Sequence, residues 1–271
     1  MSVSSTSIVI RHLVGFPALA LAFWRMFTAS GLLWGYSATT RTGTLSKENL
    51  VLTFFAGVFL GLHFSCFFWG VRNTSIANAT LLANTGPFFT ALFAFIKQGT
   101  LKKPVLIGLG LAFVGLISIQ MSEGKTYQDN FLGDFVSLLS GLSIAVTYSY
   151  AKKIRRGTSA VVYGRTLFFF ASLTILVIWM TLEPSPILFE KTDLGWILFL
   201  GVVPSILGHN SLNYSIKYLS PTAIASVPLG EPIIASLLGF VIFSEPVPIE
   251  SLISAPFIFF GIYLILKHQE G

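Results

Sequence analysis

Three ionisable side chains lie inside long apolar stretches of this sequence: Arg25, Arg165 and Glu231. Placing a charge at the centre of a membrane-spanning helix costs about 3 kcal/mol on insertion scales, so these residues are functional candidates. Glu231 stands between Gly230 and Pro232, and proline removes one backbone hydrogen bond and loosens a helix. The Glu231 carboxylate is suited to bind a substrate ammonium group or to exchange a proton. Alternatively, it pairs with an arginine or caps the backbone that the proline frees.

The two arginines differ in their depth within these stretches. Arg25 lies somewhat under halfway along its stretch, where its guanidinium can meet a substrate carboxylate. The alternative for Arg25 is helix packing or extension of the side chain toward the membrane interface. Arg165 lies about one turn from the end of its stretch, and this position favours the interfacial interpretation.

Histidine, asparagine and aromatic residues in the apolar stretches are further candidates to line a cavity. Histidine titrates near neutral pH and suits a proton relay, although a lone membrane histidine is more often a hydrogen-bonded packing residue. Asparagines can line a cavity or join helices by hydrogen bonds. Aromatic side chains can stack on a substrate or belong to interfacial belts. These candidates are His63, His209, Asn84, Asn210, Asn213, Trp69, Tyr148 and Tyr150.

The composition limits the class of protein to which the chain can belong. Of its 271 residues, 54% are apolar and only 10% are charged, whereas soluble domains carry roughly 25% charged residues. We therefore predict an all-α, polytopic membrane protein without a soluble domain. The net charge of +6 comes from short loops between apolar stretches, so we expect no nucleic-acid partner. The single cysteine, Cys66, supports neither a disulfide framework nor a cysteine-based metal site.

Nine apolar stretches are long enough to span a bilayer, which needs about 20 residues per helix. They cover residues 16–37, 50–71, 76–96, 104–121, 131–151, 161–181, 194–215, 221–243 and 250–267. The shorter stretch 4–13 resembles the end of a span whose beginning is missing. We therefore expect nine full transmembrane helices and a truncated first helix. Either the start is assigned too late, or the protein operates with nine spans.

Basic residues are distributed unequally between the two ends of the predicted spans. Eleven lie on the side of the loop that holds Arg41 and Lys47, and four lie on the opposite side with most of the acidic residues. Cytoplasmic loops carry the excess of lysine and arginine. This bias predicts a cytoplasmic C-terminus, and we expect the membrane to be a bacterial inner membrane.

Two stretches about 145 residues apart resemble each other. When Pro87 is aligned with Pro232, Gly86 aligns with Glu231, and an aromatic residue stands at the same offset before each proline. The copies are five spans apart, an odd number, so the second copy enters the membrane from the opposite side. Inverted repeats of this kind are typical of secondary transporters. We predict two five-helix halves of opposite orientation, residues 1–121 and 131–267.

Glycines recur at helical spacing in two predicted spans. Gly57 and Gly61 are separated by one turn, and Gly108, Gly110 and Gly115 follow each other in a later span. Small residues allow the backbones of neighbouring membrane helices to approach closely. The spacing therefore predicts close helix contacts at these positions.

Several local patterns, taken in order, resemble the EamA-like transporters of the drug/metabolite transporter superfamily. They are ALAFWRMFTASGLLW, NTSIANATLLANTGPFFTALFAF, AVTYSYAKKIRR and LGHNSLNYSIKYLSPTAIASVPLGEPIIASLLGFVIFSE. The resemblance covers nearly the whole chain and implies a five-plus-five helix architecture and export of small metabolites. The chain departs from the family pattern in its truncated first span. It also has Lys97-Gln98-Gly99-Thr100 where the family often has Gly-Glu.

The preferred function is a secondary active transporter that exports a small metabolite, such as an amino acid or a related amine or zwitterion, by alternating access. The Glu and His residues in the spans leave proton coupling open. We expect no ATP use, because no glycine-rich phosphate loop ending in Gly-Lys-Ser/Thr occurs. The alternatives are a non-transporting scaffold or receptor and an intramembrane enzyme. HExxH, GxSxG and paired intramembrane aspartates are missing from the sequence, so we expect no enzyme activity, cofactor or metal.

Overall fold

A computed structural model describes residues 16–122, 130–184, 191–243 and 247–269 of the chain. Within these ranges, all regular secondary structure is helical. The predicted truncated helix at 4–13 lies outside the described residues.

The described ranges contain twelve α-helices. They are α1 (Ala18–Thr40), α2 (Lys47–Asn73), α3 (Ile76–Ala83), α4 (Gly86–Gln98), α5 (Lys103–Ser122), α6 (Phe131–Ile154), α7 (Ala160–Leu182), α8 (Lys191–Leu200), α9 (Asn210–Ser215), α10 (Pro221–Ser226), α11 (Glu231–Phe243) and α12 (Ile249–His268). A π-helical segment, Gly201–His209, joins α8 to α9. A 3-10 segment, Val227–Gly230, joins α10 to α11.

Length and composition allow seven helical stretches of the described chain to cross a membrane. Helix α1 has 23 residues, and the apolar part of α5, Lys103–Ile119, is shorter than the seven. Large apolar side chains cover the outer surface of the bundle; Phe131, for example, is 83% exposed. Lipid rather than water suits such a surface. The polytopic helical class is thus confirmed, while the total of nine full spans stays a prediction.

Two of the long helical rods are interrupted at matching positions. One rod breaks at Asn84 and Thr85, and α4 then begins at Gly86. The other passes through the 3-10 segment, and α11 then begins at Glu231. Proline is tolerated in the first turn of a helix, where its missing N–H is not needed. Both restarts therefore fall at the glycine–proline and glutamate–proline pairs that the 145-residue offset aligns.

Helix packing brings equivalent rods of the two sequence halves together. Helix α1 packs against α7, α5 against α12, and α4 against α10. Self-pairing of equivalent elements is what a two-fold relation produces near its axis. Helix α2 packs against both α6 and α7 and so joins the halves at the centre. The packing is compatible with the predicted inverted repeat, which stays a prediction.

The contact between α2 and α7 depends on the first glycine pair. A Cβ atom at Gly57 would lie 2.4 Å from Phe170 Cβ, and one at Gly61 would lie 2.9 Å from the Ala171 carbonyl oxygen. Neither position has space for a side chain. The predicted close approach at Gly57 and Gly61 is confirmed.

The second close approach joins α5 to α12. A Cβ atom at Gly108 would lie 2.6 Å from the Gly261 carbonyl oxygen, and one at Gly261 would lie 2.5 Å from that of Gly108. Gly115 faces Ile258 in the same interface. Gly110 has no neighbour within 4 Å of its Cβ position and takes no part in this contact.

Charged residues form different contacts at the two ends of the bundle. At one end, Arg72 forms an ion pair with Glu183, and the Thr74 hydroxyl donates to Asp134 at 2.7 Å. At the other end, Lys153 lies 3.0 Å from Glu48. We call the end with Arg72, Asp134 and Glu183 the acidic end, and the end with Glu48 and Lys153 the basic end.

Arg165, in the second turn of α7, extends to the loop after α1 and has packing partners there. Its side chain is buried and donates to Ser37 and to the Gly43 carbonyl oxygen. The guanidinium lies 4.1 Å from the ring centre of Trp34. Arg165 thus joins α7 to α1 and to the loop that follows α1. The position of Arg165 along its predicted span does not by itself indicate these partners.

The α5–α12 crossing generates a stability prediction. The Gly108→Ala variant should lose about 1–3 kcal/mol of stability, because its new methyl group overlaps the backbone of Gly261. The Gly110→Ala variant, on the same helix, is the matched control and should unfold at the wild-type temperature. Thermal unfolding of the detergent-purified protein, followed with a thiol-reactive dye at the half-buried Cys66, measures both variants. Equal midpoints for the two variants would contradict the described contact.

Candidate functional site

A cavity of about 130 Å³ lies where the two interrupted rods meet. Pro87 borders it from one rod and Pro228 from the other. Glu231 is eleven positions into the rod that begins at Pro221, about 15 Å from its end, so the cavity lies deep in the bundle.

Six of the site residues predicted from the sequence line this cavity. They are Arg25, His63, Asn84, Tyr148, His209 and Glu231. Apolar side chains, among them Phe64, Phe67, Phe68 and Ile144, form much of the remaining wall. Such a combination of an apolar wall with a few convergent polar groups is typical of a small-molecule site.

Helix α1 carries Arg25 into the bundle, where the residue is only 3% exposed. The Arg25 Nε atom donates a hydrogen bond to Ser205 Oγ at 2.9 Å. The guanidinium also lies 4.8 Å from the ring centre of Phe64. Among the described residues, the Nη2 atom of Arg25 has no hydrogen-bond partner. One nitrogen therefore anchors the side chain, and another remains available to a ligand.

Ser205 holds Arg25 from the π-helical segment and is itself fully buried. Its hydroxyl donates to the Leu200 carbonyl oxygen at 2.9 Å, five residues earlier, as the wider π-helical turn permits. Pro204, within the same segment, lacks the N–H group of a regular helix. Single π-helical turns occur frequently at functional sites. Sequence reasoning missed Ser205, although the proline inside an apolar span was a usable signal.

Glu231 occupies the first position of α11, directly after the 3-10 segment. Its charge interacts electrostatically with Arg25 and with Tyr148. No hydrogen bond joins the Glu231 carboxylate to another residue of the described ranges. Opposite charges at one buried site offset part of the cost of desolvating each. A solute with an ammonium and a carboxylate group can interact with Glu231 and Arg25 together.

Two histidines and one phenylalanine form an edge-to-face cluster at the cavity. The Phe64 ring centre lies 4.9 Å from that of His63 and 5.4 Å from that of His209. His63 Nδ1 lies 3.0 Å from the Ser140 carbonyl oxygen, and the Ser140 hydroxyl is 2.9 Å from the His63 carbonyl oxygen. The Ser140 hydroxyl also lies 2.9 Å from Nδ1. In the tautomer that carries its proton on Nδ1, this nitrogen donates to the Ser140 carbonyl oxygen and Nε2 is the ring's acceptor. His63 therefore combines a packing role with a place at the cavity.

The other two predicted residues of the cavity come from α6 and from the break after α3. Tyr148 of α6 is 3% exposed. Asn84 ends α3, and its backbone N–H donates to the Thr80 carbonyl oxygen at 3.0 Å. The break before Gly86 thus places an amide side chain at the cavity.

The other predicted site residues lie outside the lining of the cavity. A Cβ atom at Gly164 would lie 2.2 Å from Asn210 Oδ1, so Asn210 packs against α7. The backbone carbonyl oxygen of Asn213 accepts a hydrogen bond of 2.7 Å from Arg155 Nε, and the Tyr150 ring stacks on that of Phe55. Trp69 is half-buried on α2, and Pro232 follows Glu231 in the first turn of α11.

The cavity presents a guanidinium, a carboxyl group, two imidazoles, an amide and a phenol. Across the described residues, no three His, Cys, Asp or Glu side chains come together as metal ligands. The polar groups of the cavity can bind a small solute with charged ends through ion pairs and hydrogen bonds.

Comparison with known proteins indicates a common class. The model of the EamA-like transporter family matches residues 1–121 and 131–267. An uncharacterized transporter of Archaeoglobus fulgidus is 25% identical over 92% of this chain and 88% of its own length. The pseudopaline exporter CntI of Pseudomonas aeruginosa is 27% identical over 77% of this chain and 72% of its own length. A solved crystal structure shares the fold, with a TM-score of 0.81, 14% identity, and coverage of 96% of this chain and 92% of its own.

The anchoring of Arg25 is testable by mutation of its partner. The Ser205→Ala variant should lose about 1–3 kcal/mol of stability, because it leaves a buried guanidinium N–H without a partner. The Ser211→Ala variant is the matched control, since Ser211 is exposed and its hydroxyl donates only to the Leu207 carbonyl oxygen. Thermal unfolding of both purified variants measures the effect. A Ser205→Ala midpoint no lower than that of the control would show that Ser205 does not support Arg25.

Proposed function

The chain belongs to the EamA-like transporter family and is an integral, multi-pass membrane transporter, so we propose that it is a secondary active exporter of a small zwitterionic or amine-bearing metabolite. An amino acid is the simplest solute of this kind. The observation that carries the proposal is the placement of Arg25 and Glu231 at one buried cavity. A carboxylate of the solute meets the Arg25 guanidinium, and its ammonium group meets Glu231.

The arrangement of the two halves supports alternating access. The family model matches residues 1–121 and 131–267 as separate segments. Both helix restarts occur at aligned positions beside the cavity, and equivalent rods pack against each other. Two inverted halves that rock about a central site can expose it to each side of the membrane in turn.

Residues of the cavity can also carry protons. A carboxyl group binds and releases one proton, and Glu231 interacts electrostatically with Arg25 and Tyr148. The rings of His63 and His209 both contact that of Phe64. We therefore propose that protons are the coupling ion and that Glu231 exchanges them.

The name of one relative supports export as the direction of transport, since it is called an exporter. The excess of basic residues at one end of the bundle separately supports a cytoplasmic C-terminus in a bacterial inner membrane.

The alternative of a non-transporting scaffold explains neither the buried charged cavity nor the matched helix breaks. No positive observation favours an intramembrane enzyme.

A transport assay tests the function of Glu231. The full chain is reconstituted into proteoliposomes and supplied with a panel of amino acids and amines, with solute movement followed by mass spectrometry. Wild type should move at least one solute faster when a pH gradient is imposed. The Glu231→Gln variant should lose this gradient-driven transport, because its amide cannot release a proton. The Glu250→Gln variant, at the acidic end of α12, is the matched control and should transport normally.

Exchange of the same solute across the membrane without a pH gradient separates two roles of Glu231. If Glu231 only exchanges protons, the Glu231→Gln variant should retain exchange while it loses gradient-driven transport. If Glu231 also binds the ammonium group, both activities should be lost. Unchanged transport in a folded Glu231→Gln variant would refute the proposal, as would no flux of any solute through the wild type.

Orientation in the membrane is testable with introduced cysteines. In a Cys66→Ser background, Lys103→Cys lies at the basic end and Glu250→Cys at the acidic end. A maleimide that cannot cross membranes should label Glu250→Cys on intact bacterial cells. It should label Lys103→Cys only after the membrane is opened. The reverse pattern would place the C-terminus outside.

A further inference from the structure

A second and larger pocket, of about 500 Å³, opens at the basic end of the bundle. It lies between α4, α5, α6, α10 and α12. Five cationic side chains line it, and they are Lys97, Lys102, Lys152, Lys153 and Arg156. None of its lining residues in the described chain is acidic. We call this pocket the basic vestibule.

The basic vestibule lies directly beside the central cavity on three shared elements. Thr90 of the vestibule is about one turn from Pro87 of the cavity, and Thr222 is about one turn from Ala225. On α6, Ser149 of the vestibule follows Tyr148 of the cavity. The two spaces are therefore successive chambers along the same helices, and a solute that leaves one toward the other travels only about one helical turn.

Only two of the five cationic side chains have a described polar partner in the structure. Lys153 pairs with Glu48 at 3.0 Å, and Lys152 Nζ donates to the Leu219 carbonyl oxygen at 3.0 Å. Lys97, Lys102 and Arg156 form no salt bridge with any other described residue. A cleft lined by charges of one sign concentrates ions of the opposite sign. The lining of the vestibule therefore favours anions.

The positive-inside rule does not by itself account for this arrangement. That rule explains an excess of basic residues in cytoplasmic loops, but it requires no convergence around one pocket. Here the residues come from α4, from the loop before α5, and from the end of α6. Apolar side chains of Phe93, Val105 and Ile265 line the same pocket and suit the hydrocarbon part of an organic anion.

We propose that the basic vestibule binds anionic groups, namely carboxylates or phosphates, and that it loads solutes bearing such a group into the central cavity. The loading step rests on the proposed transport function, whereas the binding step does not. The same chemistry occurs in the headgroup of an anionic lipid, and the experiment must separate a soluble anion from that source.

The first arm measures binding of citrate to the full chain in a nanodisc of zwitterionic phosphatidylcholine. Citrate should raise the unfolding temperature, and sodium chloride at the same ionic strength should not. In the Lys97→Gln/Lys102→Gln variant, the apparent Kd for citrate should rise about tenfold, because two of the four lining charges without an ion pair are removed. The Lys47→Gln/Lys103→Gln variant loses the same net charge from exposed positions at the same end, and its Kd should stay within about twofold of wild type.

The second arm repeats the measurement with nanodiscs that contain phosphatidylglycerol. If the vestibule serves soluble anions, citrate should still bind, and the Lys97→Gln/Lys102→Gln variant should still weaken it. Stabilisation by phosphatidylglycerol without any effect of citrate in either nanodisc would overturn the loading proposal in favour of a lipid site. Equal weakening in the two double variants would also overturn it, because citrate would then respond only to net charge.

The citrate-binding experiment and the transport assay can fail independently of each other. Citrate binding that depends on Lys97 and Lys102, together with no flux of any solute through the wild type, would leave the anion site standing and refute transport. Normal flux of the solute panel without citrate binding would refute the vestibule and leave transport standing.

Discussion

The cost of a buried charge is the constraint on which the centre of this protein depends. Arg25 lies in the interior, where the residue is 3% exposed, and a charge placed there is costly. The Ser205 hydroxyl and the Phe64 ring contact its guanidinium, and Glu231 lines the same cavity. Three elements besides α1 therefore meet around this one buried charge.

Sequence reasoning recovered the membrane class, the family and six of the seven polar side chains that line the cavity. Charged and amide residues inside apolar stretches are expensive, so their presence alone identified Arg25, Glu231, His63, His209 and Asn84. Glycine spacing predicted close contacts on α2 and α5 for a similar reason, since only small residues permit that approach. The structure shows that the partners are α7 and α12. In each case the residue type is unfavourable enough elsewhere in a membrane helix that the sequence alone indicates its role.

The sequence alone could not show in which direction each side chain points around the axis of its helix. Asn210 and His209 are neighbours at nearly the same depth, yet only His209 reaches the cavity. Arg165 has the depth of an interfacial residue but packs against Trp34. The wider turn at Gly201–His209 changes which residues face inward, so regular helical periodicity gives the wrong face there. Ser205, a common residue type, carried no cost that would have singled it out.

The His63 ring divides two tasks between its two nitrogen atoms. Nδ1 and the Ser140 backbone hold the ring in place, and this contact requires a proton on Nδ1 in both the neutral and the cationic ring. Nε2 can therefore gain or lose its proton while the hydrogen bond at Nδ1 persists. Under the proposed proton coupling, a change of charge on this ring would leave the α2–α6 contact at Ser140 intact. Structural support and proton binding would then fall on two different atoms of one side chain.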